Sequence, residues 1–562
     1  MNKKWECFKT DVEKRDEIAK KNNISKLLAT ILLNKNITQK DEIEKFIDPK
    51  RDDLFGPFEM PDMEIAVERI IEAINNNEKT IIYGDYDVDG ITSITVLKKY
   101  LKDRGLDVGY YIPNRLNEGY GLNKGAIDKI KNEGYTLMIT VDCGISAVEE
   151  VKYATDLGID VIVTDHHEPI DELPKAIAVV DAKRKDNKYP FNQLAGVGVA
   201  FKVTQGINKK LGLDDNQYLK YLDIVCVGTI SDIVPLVSEN RVITKLGLKL
   251  ILQTRNLGLF TLLNSIGYKK IDSTAISFGI APRINACGRM GYQYEALKLF
   301  LTEDRSEAVE ICNKLNDYNK ERQEEEKRIF AQAIEMLNNE NEKDHPIIIL
   351  GNENWHHGVI GIVSSKLTEQ YFKPSILICF EGEEGKGSGR SVPGFDLHAA
   401  LTNCSQYLTK FGGHSMAIGI SLSKSNFSKF KDEFEDYALK SNLKDIVPVL
   451  NIDNEITTKE ITIEAVKELD KLEPFGEANK KPVFLYKNLR IAAIRSLTGG
   501  KHLKLTLKDD NFLIDAIGFN LGSLTDEYQI GDKVDVAGTL EINTYNQNEN
   551  IQINLKDIRK SY

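Results

Sequence analysis

Cysteine pairs are missing from this sequence. The seven cysteines, Cys7, Cys143, Cys226, Cys287, Cys312, Cys379 and Cys404, are odd in number and form no CxxC pair. That argues against a disulfide scaffold or a zinc ribbon and leaves single buried thiols. No run approaches the roughly 18 uninterrupted apolar residues of a transmembrane helix. The opening segment, MNKKWECFKTDVEKRDE, lacks the apolar stretch of a secretion signal, so a cytoplasmic protein is expected. An excess of positive charge is absent too: 74 Lys+Arg stand against 85 Asp+Glu, a formal net charge of -11. This weighs against coating nucleic acid by bulk charge but leaves room for a local basic groove. Residues 481–562, with 11 Lys+Arg against 10 Asp+Glu, are the less acidic part. No internal repeat or low-complexity tract stands out. What is present is an ordinary soluble composition, 41% hydrophobic and 28% charged over 562 residues. At roughly 150 residues per domain, that length suggests three or four domains.

Residues 1–78 read as a helical extension, with ISKLLATILL and DMEIAVERIIEAI as amphipathic stretches around the turn-rich DPKRDDLFGPFEMPD. From 80 to 181, strands alternate with helices: TIIYGDYD, DVGYYIPN, TLMITVD, DVIVTDHH and AIAVVD are strands, and ITSITVLKKYLKDRG, NKGAIDKIKNEG and SAVEEVKYATDLG are helices. Such alternation predicts an α/β domain with a parallel sheet and crossover helices, assigned here to 79–300, with 194–265 mostly helical. The charge-rich stretch 302–343 reads as a solvated helix joining two domains, assigned to 301–344. A second α/β domain, 345–445, contains PIIILG, SILICF, the Gly-rich GKGSGRS and MAIGISL. In 446–562 the texture changes to short alternating segments broken by Gly, Asn and Asp, which predicts about five strands in a small OB-type β-barrel.

In an open parallel sheet, ligands bind beyond the carboxyl ends of the strands. Here those ends carry Asp85, Asp87 and Asp89, then Asp142, then Asp165, His166 and His167, then Asp181, with Arg115 near another. Two carboxylates 4 Å apart repel by about 4 kcal/mol at an effective dielectric near 20. A cluster of them needs protons or a cation. A pair of divalent ions satisfies it, and oxygen and imidazole ligands suit manganese or magnesium better than zinc. Two such ions about 3.5–4 Å apart are the standard device for attacking a phosphoester. A single Asp after a strand is usually a turn former or helix cap, the reading adopted for Asp181. Three motifs in order, DYDVDG, VDCG and TDHHE, carry a stronger signal. His356 and His357 in ENWHHGVIG read as helix-capping or substrate-contacting groups rather than ligands.

These residues resemble the DHH phosphoesterase superfamily, and within it the RecJ family of single-strand-specific 5′→3′ DNA exonucleases. The likeness covers nearly the whole chain: YGDYDVDGITS, VDCGIS and TDHHE match the first three motifs, and VGTISDIVPL the fourth. It implies that Asp85, Asp87, Asp89, Asp142, His166 and Asp232 hold two ions, with Asp142 as the bridge. Related enzymes usually carry a histidine at the place of Tyr83, and Asp85 is taken as its substitute. By the same resemblance Asp165 orients an imidazole, and His167 donates a proton to the leaving oxygen or stabilises the scissile phosphate. In APRINACGRMG, Arg283 and Asn285 would contact the substrate backbone. The second domain resembles the DHH-associated module, with GSGRSVPGFDLHAAL and FGGHSMAIG as its signature. There the small residues would let backbone amides approach a phosphate. Ser388 and Arg390, with Arg115 from IPNRLNEGYG, would grip a 5′-phosphate, and His414 would line the same cleft. EPFGEANKKPVF resembles the family segment that leads into the OB domain, where Arg495, Lys501, His502, Lys504 and Tyr545 are candidate strand contacts.

The function expected is metal-dependent exonuclease action on single-stranded DNA from the 5′ end, giving mononucleotides in DNA repair and recombination. A narrow path between the two α/β domains would exclude duplex, and the OB barrel would hold incoming strand. The resemblance also implies a helicase and a single-stranded-DNA-binding protein as partners. A monomer without membrane association is the simplest assembly. Two alternatives stay open. One is a DHH phosphodiesterase acting on short oligoribonucleotides or cyclic dinucleotides, against which the OB barrel and the N-terminal extension stand. The other is a non-catalytic DNA-binding scaffold descended from a nuclease, which would be expected to have lost metal ligands.

Overall fold

In a computed structural model the protein forms two compact units, each assembled from separated stretches of chain. The larger contains Phe55–Val234 and Leu246–Val447; the smaller contains Met1–Leu54, Pro235–Lys245 and Pro448–Tyr562. The stretch 1–78 therefore contributes to both. The structure describes residues 3–115, 117–339, 345–441, 443, 446–509, 512–545 and 548–561.

The chain opens in the smaller unit with a short strand, β1 (Lys4–Cys7), and the helices Val12–Asn22, Lys26–Asn34 and Lys40–Ile47. It then enters the larger unit through the helix Met63–Asn76. There β2 (Thr80–Gly84), β3 (Gly109–Tyr111), β4 (Leu137–Val141), β5 (Asp160–Thr164) and β6 (Ala178–Val180) form a sheet in the order β3-β2-β4-β5-β6, parallel throughout. TIIYG and LMITV are buried at every position, as strands covered by helices on both faces must be. The sheet turns outward in both directions from β2, so a crevice opens at the carboxyl ends of β2 and β4. The helix Leu222–Ser231 is buried over Leu222–Ile230, which fits its apolar sequence on all sides.

The long helix Arg305–Asn339 matches the expected 302–343 up to Asn339; residues 340–344 lie outside the described part. Ile311 and Leu315 are buried near one end. At the other, Ile329, Ala333 and Leu337 join a core with Trp355, Val359 and Ile360. The helix is thus anchored at both ends.

The second α/β domain has β7 (Ile348–Asn352), β8 (Ser375–Glu381), β9 (Glu384–Arg390), β10 (Leu408–His414) and β11 (Ala417–Ser423) in the order β10-β11-β9-β8-β7, with only β7 and β8 parallel. The Gly-rich GKGSGR segment is a strand inside this sheet, hydrogen-bonded to β8 and β11. Its amides are committed to the ladders, so they do not form the phosphate cradle expected from the sequence. Its glycines serve packing instead: a Cβ on Gly387 would lie 2.6 Å from Ile420 and 2.9 Å from Ile378. Lys386, Ser388 and Arg390 alternate onto the opposite face.

The chain returns to the smaller unit with β12 (Val449–Ile452), which pairs in parallel with β1, and β13 (Asn454–Glu455). The strands β14 (Phe484–Leu497), β15 (His502–Asp509), β16 (Phe512–Gly518), β17 (Lys533–Tyr545) and β18 (Asn548–Lys560) close into the expected five-stranded barrel. Closure comes from β14, whose first half pairs with β17 and second half with β15. No helix among the described residues is long and apolar enough to cross a membrane.

The EPFGEAN segment forms part of a socket for the stretch 235–245. Arg241 is buried there, stacked 3.7 Å from the centre of the Phe46 ring. It donates to the carbonyls of Phe46 (2.6 Å), Leu472 (3.0 Å), Lys471 (3.3 Å) and Glu473 (2.9 Å). Burial alone pushes its pKa down to about 9. Replacing Arg241 with Met would leave those carbonyls without their donor in a closed site, at a cost of about 3 kcal/mol. Guanidinium unfolding of the variant should show an earlier transition for this unit; an unchanged midpoint would remove Arg241 from its stability.

Candidate metal centre and anion pocket

Four segments deliver acidic or imidazole groups to the crevice above β2, β4 and β5. After β2, the chain places Asp85 in the interior and then caps the helix Val88–Lys102 with Asp87, whose carboxylate accepts from the Gly90 amide at 3.0 Å. The turn demands glycine at position 90, because a Cβ there would stand 2.4 Å from the Asp85 carbonyl oxygen. Asp89, in the first turn of that helix, is buried and accepts from the amides of Gly196 (2.6 Å) and Val197 (2.8 Å), which open the helix Gly196–Lys210. Asp142 follows β4 with φ +58°, a left-handed conformation that Asp tolerates better than most side chains. Asp232 ends the apolar helix Leu222–Ser231.

The metal-ligand atoms of these groups converge. One atom from each of Asp85, Asp87 and Asp142 lies within 4.8 Å of the others, and so it is for Asp89, His166 and Asp232, and for Asp142, His166 and His167. His166 Nε2 stands 3.1 Å from Asp142, 3.7 Å from Asp232 and 3.8 Å from Asp89. The Leu194 carbonyl, 3.1 Å from His166 Nδ1, can only accept, so Nδ1 holds the proton of the neutral ring. Nε2 then points its lone pair at carboxylate oxygens. It is buried with no hydrogen-bond donor, as is one oxygen of Asp85. Burial first, and then the neighbouring carboxylates, push Asp85, Asp142 and Asp232 well above the usual carboxylate range and Asp89 up to about 7. Burial and His167 push His166 down to about 3. A buried lone pair aimed at clustered acceptors that resist ionisation is a donor set built for cations, and oxygen with imidazole fits hard divalent ions. Asp142 belongs to two of the three trios, one with Asp85 and Asp87 and one with His166 and His167.

Asp165 is sealed beneath this cluster. It accepts from the amides of Ile145 (2.9 Å), His166 (2.7 Å) and His167 (3.2 Å), and lies 2.7 Å from His167 Nδ1. Burial opposes the charge on His167, but the Asp165 contact outweighs it and pushes the imidazole up to about 9. His167 is therefore a protonated group at the mouth of the crevice. The Tyr120 hydroxyl, 3.3 Å from both the Asp142 carbonyl and His167, stands beside it. Asp181 accepts from the Lys183 amide at 2.7 Å, the turn-forming role expected for it. Tyr83 turns its hydroxyl to the Gly121 carbonyl and stacks on Tyr111, away from the cluster.

Arg115 lies 5.0 Å from the centre of the Tyr86 ring. Burial and then Arg115 lower the pKa of Arg390, which is held by Ser388 Oγ (3.1 Å) and the Gly389 carbonyl (2.8 Å). Arg289 joins them: burial, then Arg115, Arg322 and Arg390, push it down to about 9, and it donates to the Gly358 carbonyl at 2.9 Å. Arg115, Arg289, Ser388 and Arg390 thus gather into one positively charged pocket. Arg283 is held elsewhere, against Asn316 (2.6 Å) and the Gly279 carbonyl (2.7 Å), while Asn285 is half-buried on the same helix, Ala281–Arg289. His414 is exposed on β10, one strand beyond the Ala417 that pairs with Arg390. His356 caps the helix His357–Tyr371 through its ring Nδ1, as expected. In the barrel, Arg495 pairs in register with Lys504, which is bonded to Asp515, and His502 packs edge-on against Phe519. The Tyr545 side chain lies outside the described part. Sequence reading overlooked Arg289 and Tyr120, although both stand in the quoted segments: Arg289 six residues after Arg283, Tyr120 five after Arg115.

A parallel sheet that presents this cluster, joined by a long helix to a second α/β domain, defines a DHH-family protein. The model of the DHH family, N-terminal domain, matches residues 79–229, that of the DHHA1 domain 325–440, and that of the RecJ OB domain 452–557. The single-stranded-DNA-specific exonuclease RecJ of Bacillus subtilis is 37% identical over 99% of this chain and 70% of its own length, and that of Haemophilus influenzae 32% identical over 96% and 97%. The crystal structure of RecJ from Thermus thermophilus in complex with Mn2+ superposes with a TM-score of 0.86 at 29% identity, covering all of this chain and 80% of the other. The chain belongs to the RecJ family.

Asp165→Asn, in metal-free protein, should lower the pKa of His167 from about 9 by about one unit or more, because it removes the carboxylate that sustains the charge. NMR titration of the ring protons measures this. An unmoved pKa would mean that other groups hold the proton.

Proposed function

We propose that the protein is a metal-dependent exonuclease that degrades single-stranded DNA from its 5′ end to mononucleotides. The observation that carries this reading is the juxtaposition of a carboxylate–imidazole cluster with an arginine pocket: Arg115 acts electrostatically on Asp85 and also on Arg390. A strand whose terminal phosphate rests on Arg115, Ser388, Arg390 and Arg289 has its next phosphodiester directed to the cluster. Holding the end in this way sets the 5′→3′ polarity. The forked geometry of arginine suits a terminal phosphate better than lysine would.

Asp85, Asp87, Asp89, Asp142, His166 and Asp232 are the residues that would hold manganese or magnesium. Two such ions, when bound, activate water and offset the charge that grows on the phosphoryl oxygens. Asp89 keeps its orientation through the two helix amides, and the Leu194 carbonyl fixes the tautomer of His166. His167, charged through Asp165, stands where it can donate a proton to the leaving 3′ oxygen or bind the scissile phosphate. Arg283 and Asn285 act on the substrate backbone in this reading, Arg283 only after leaving Asn316, and His414 from the rim. RecJ names among the relatives and their Mn2+ and Mg2+ structures support it, as does the OB barrel, a fold suited to stacking and holding single strands. In this division of labour 79–300 is catalytic, 301–344 is the connecting helix, 345–445 holds the end, 446–562 holds the strand and 1–78 is structural. A monomer in the cytoplasm, supplied with strand by a helicase and a single-strand-binding protein during DNA repair and recombination, completes the reading.

With manganese, 5′-phosphorylated single-stranded DNA should yield mononucleotides from the 5′ end, while duplex DNA and a dinucleotide should not be turned over comparably. Equal activity on the dinucleotide, or release from the 3′ end, would favour the short-substrate phosphodiesterase. Asp142→Ala should abolish turnover and leave strand binding largely intact; near-normal rates would contradict its bridging role. Arg390→Ala should reduce the preference for a 5′-phosphate over a 5′-hydroxyl by about tenfold or more. An unchanged preference would move the anchor elsewhere.

A further inference from the structure

The arginine pocket does not stop at Arg390. Strand β9 pairs Lys386 with Cys379, and Ser388 with Leu377, on neighbouring β8. The backbone of His357 is hydrogen-bonded to the Cys379 sulfur, which places His357 beside the Lys386 row. Gly361, about one helical turn further along, lies over the Ser388 row: a Cβ there would stand 2.9 Å from Ser388 Oγ and 3.4 Å from an Arg390 nitrogen. His357 with Lys386, and Ser388 with Arg390, are therefore consecutive positions along the sheet face on which the helix His357–Tyr371 packs, about 7 Å apart on the strand.

The groups acting on His357 are burial, Lys386, Arg115 and His356, with no carboxylate among them. They push its imidazole down to about 4, so the ring is neutral at neutral pH and offers one donor and one acceptor. Its Nδ1 is shielded from solvent and has no hydrogen-bond partner among the described residues. Lys386 is half-buried and forms no ion pair among the described residues. Arg115 acts on Asp85 at the metal centre and also on Arg390 and His357, whereas no metal-centre carboxylate is among the groups acting on Arg390 or His357. A terminal phosphate carries about two negative charges at most. Arg115, Arg289, Arg390 and Lys386 bring four positive ones, none of them ion-paired with a carboxylate among the described residues.

We infer that His357 and Lys386 form a second anion subsite, which takes a phosphoryl group one position upstream of the terminal phosphate held by Arg390. The inference rests on the reading of the arginine pocket as the site for the 5′ end. The second group can come from two sources. It is the β-phosphate of a strand ending in a 5′-di- or triphosphate, or the phosphate of an additional nucleotide threaded past Arg390.

The full-length protein with manganese is tested on one oligonucleotide bearing a 5′-hydroxyl, a 5′-monophosphate or a 5′-triphosphate, and the first product is identified by mass. If the group is a polyphosphate, the triphosphate strand is degraded within about tenfold of the monophosphate strand and releases a nucleoside triphosphate. If it belongs to a further nucleotide, the monophosphate strand releases a share of dinucleotides. Either product supports the subsite. Lys386→Met and His357→Ala should each lower the corresponding ratio, triphosphate to monophosphate kcat/KM or dinucleotide to mononucleotide, by about tenfold. Ratios equal to those of the parent protein would overturn the proposal. So would a parent protein that rejects the triphosphate strand and releases mononucleotides alone. If the parent protein shows no preference for a 5′-monophosphate over a 5′-hydroxyl, the reading of the pocket itself fails, and the subsite with it.

Discussion

Carboxyl groups buried within a few ångströms of one another repel, and each loses the hydration that would make its charge tolerable. At the effective dielectric of such a site one close pair costs about 4 kcal/mol, and Asp85, Asp89, Asp142 and Asp232 make several. Left to themselves these groups resist ionisation, as their raised pKa values record. The fold nevertheless holds them together. Asp89 is tied to the start of one helix, Asp142 turns the chain in a left-handed conformation, and His166 is fixed by a carbonyl so that its lone pair faces the carboxylates. A protein that commits three strand ends and a helix end to so unfavourable a cluster gains from it only when cations join.

The arginine pocket is the counterpart of opposite sign. After burial, Arg115 depresses both Arg289 and Arg390, and Arg390 depresses Arg289, as the carboxylates raise one another. Two like-charged clusters, one needing cations and the other anions, fit the proposed reading, in which a polyanionic strand would bring a terminal phosphate to one and a phosphodiester to the other. Arg115 belongs electrostatically to both, which makes it the residue through which they are coupled.

Much of this was legible in the sequence. Strand-ending acids read directly from DYDVDG, VDCG and TDHHE, because a buried parallel strand announces itself by its β-branched run and its ligand edge follows from chain direction. The five-stranded barrel was visible in the alternation of residues from Phe484 onward. Asp232 was reachable by resemblance alone, since nothing local in ISDIV says that an apolar helix will carry it back to the sheet. The Gly-rich GKGSGR segment misled: composition suggested an amide cradle, whereas pairing on both sides makes it a strand whose glycines yield to Ile378 and Ile420. Arg283 and Arg289 were indistinguishable by type, and only helix packing shows that one faces Asn316 and the other the pocket. That the 1–78 stretch divides between two units, and that EPFGEAN encloses Arg241, depends on long-range contacts that no local pattern encodes.

The most direct test of the central claim is anomalous diffraction from crystals of the protein grown with manganese. Two anomalous peaks about 3.5–4 Å apart, with Asp142 shared between them, Asp85 and Asp87 on one side, and Asp89, His166 and Asp232 on the other, are the predicted result. An empty crevice with these side chains turned away from one another would contradict the account.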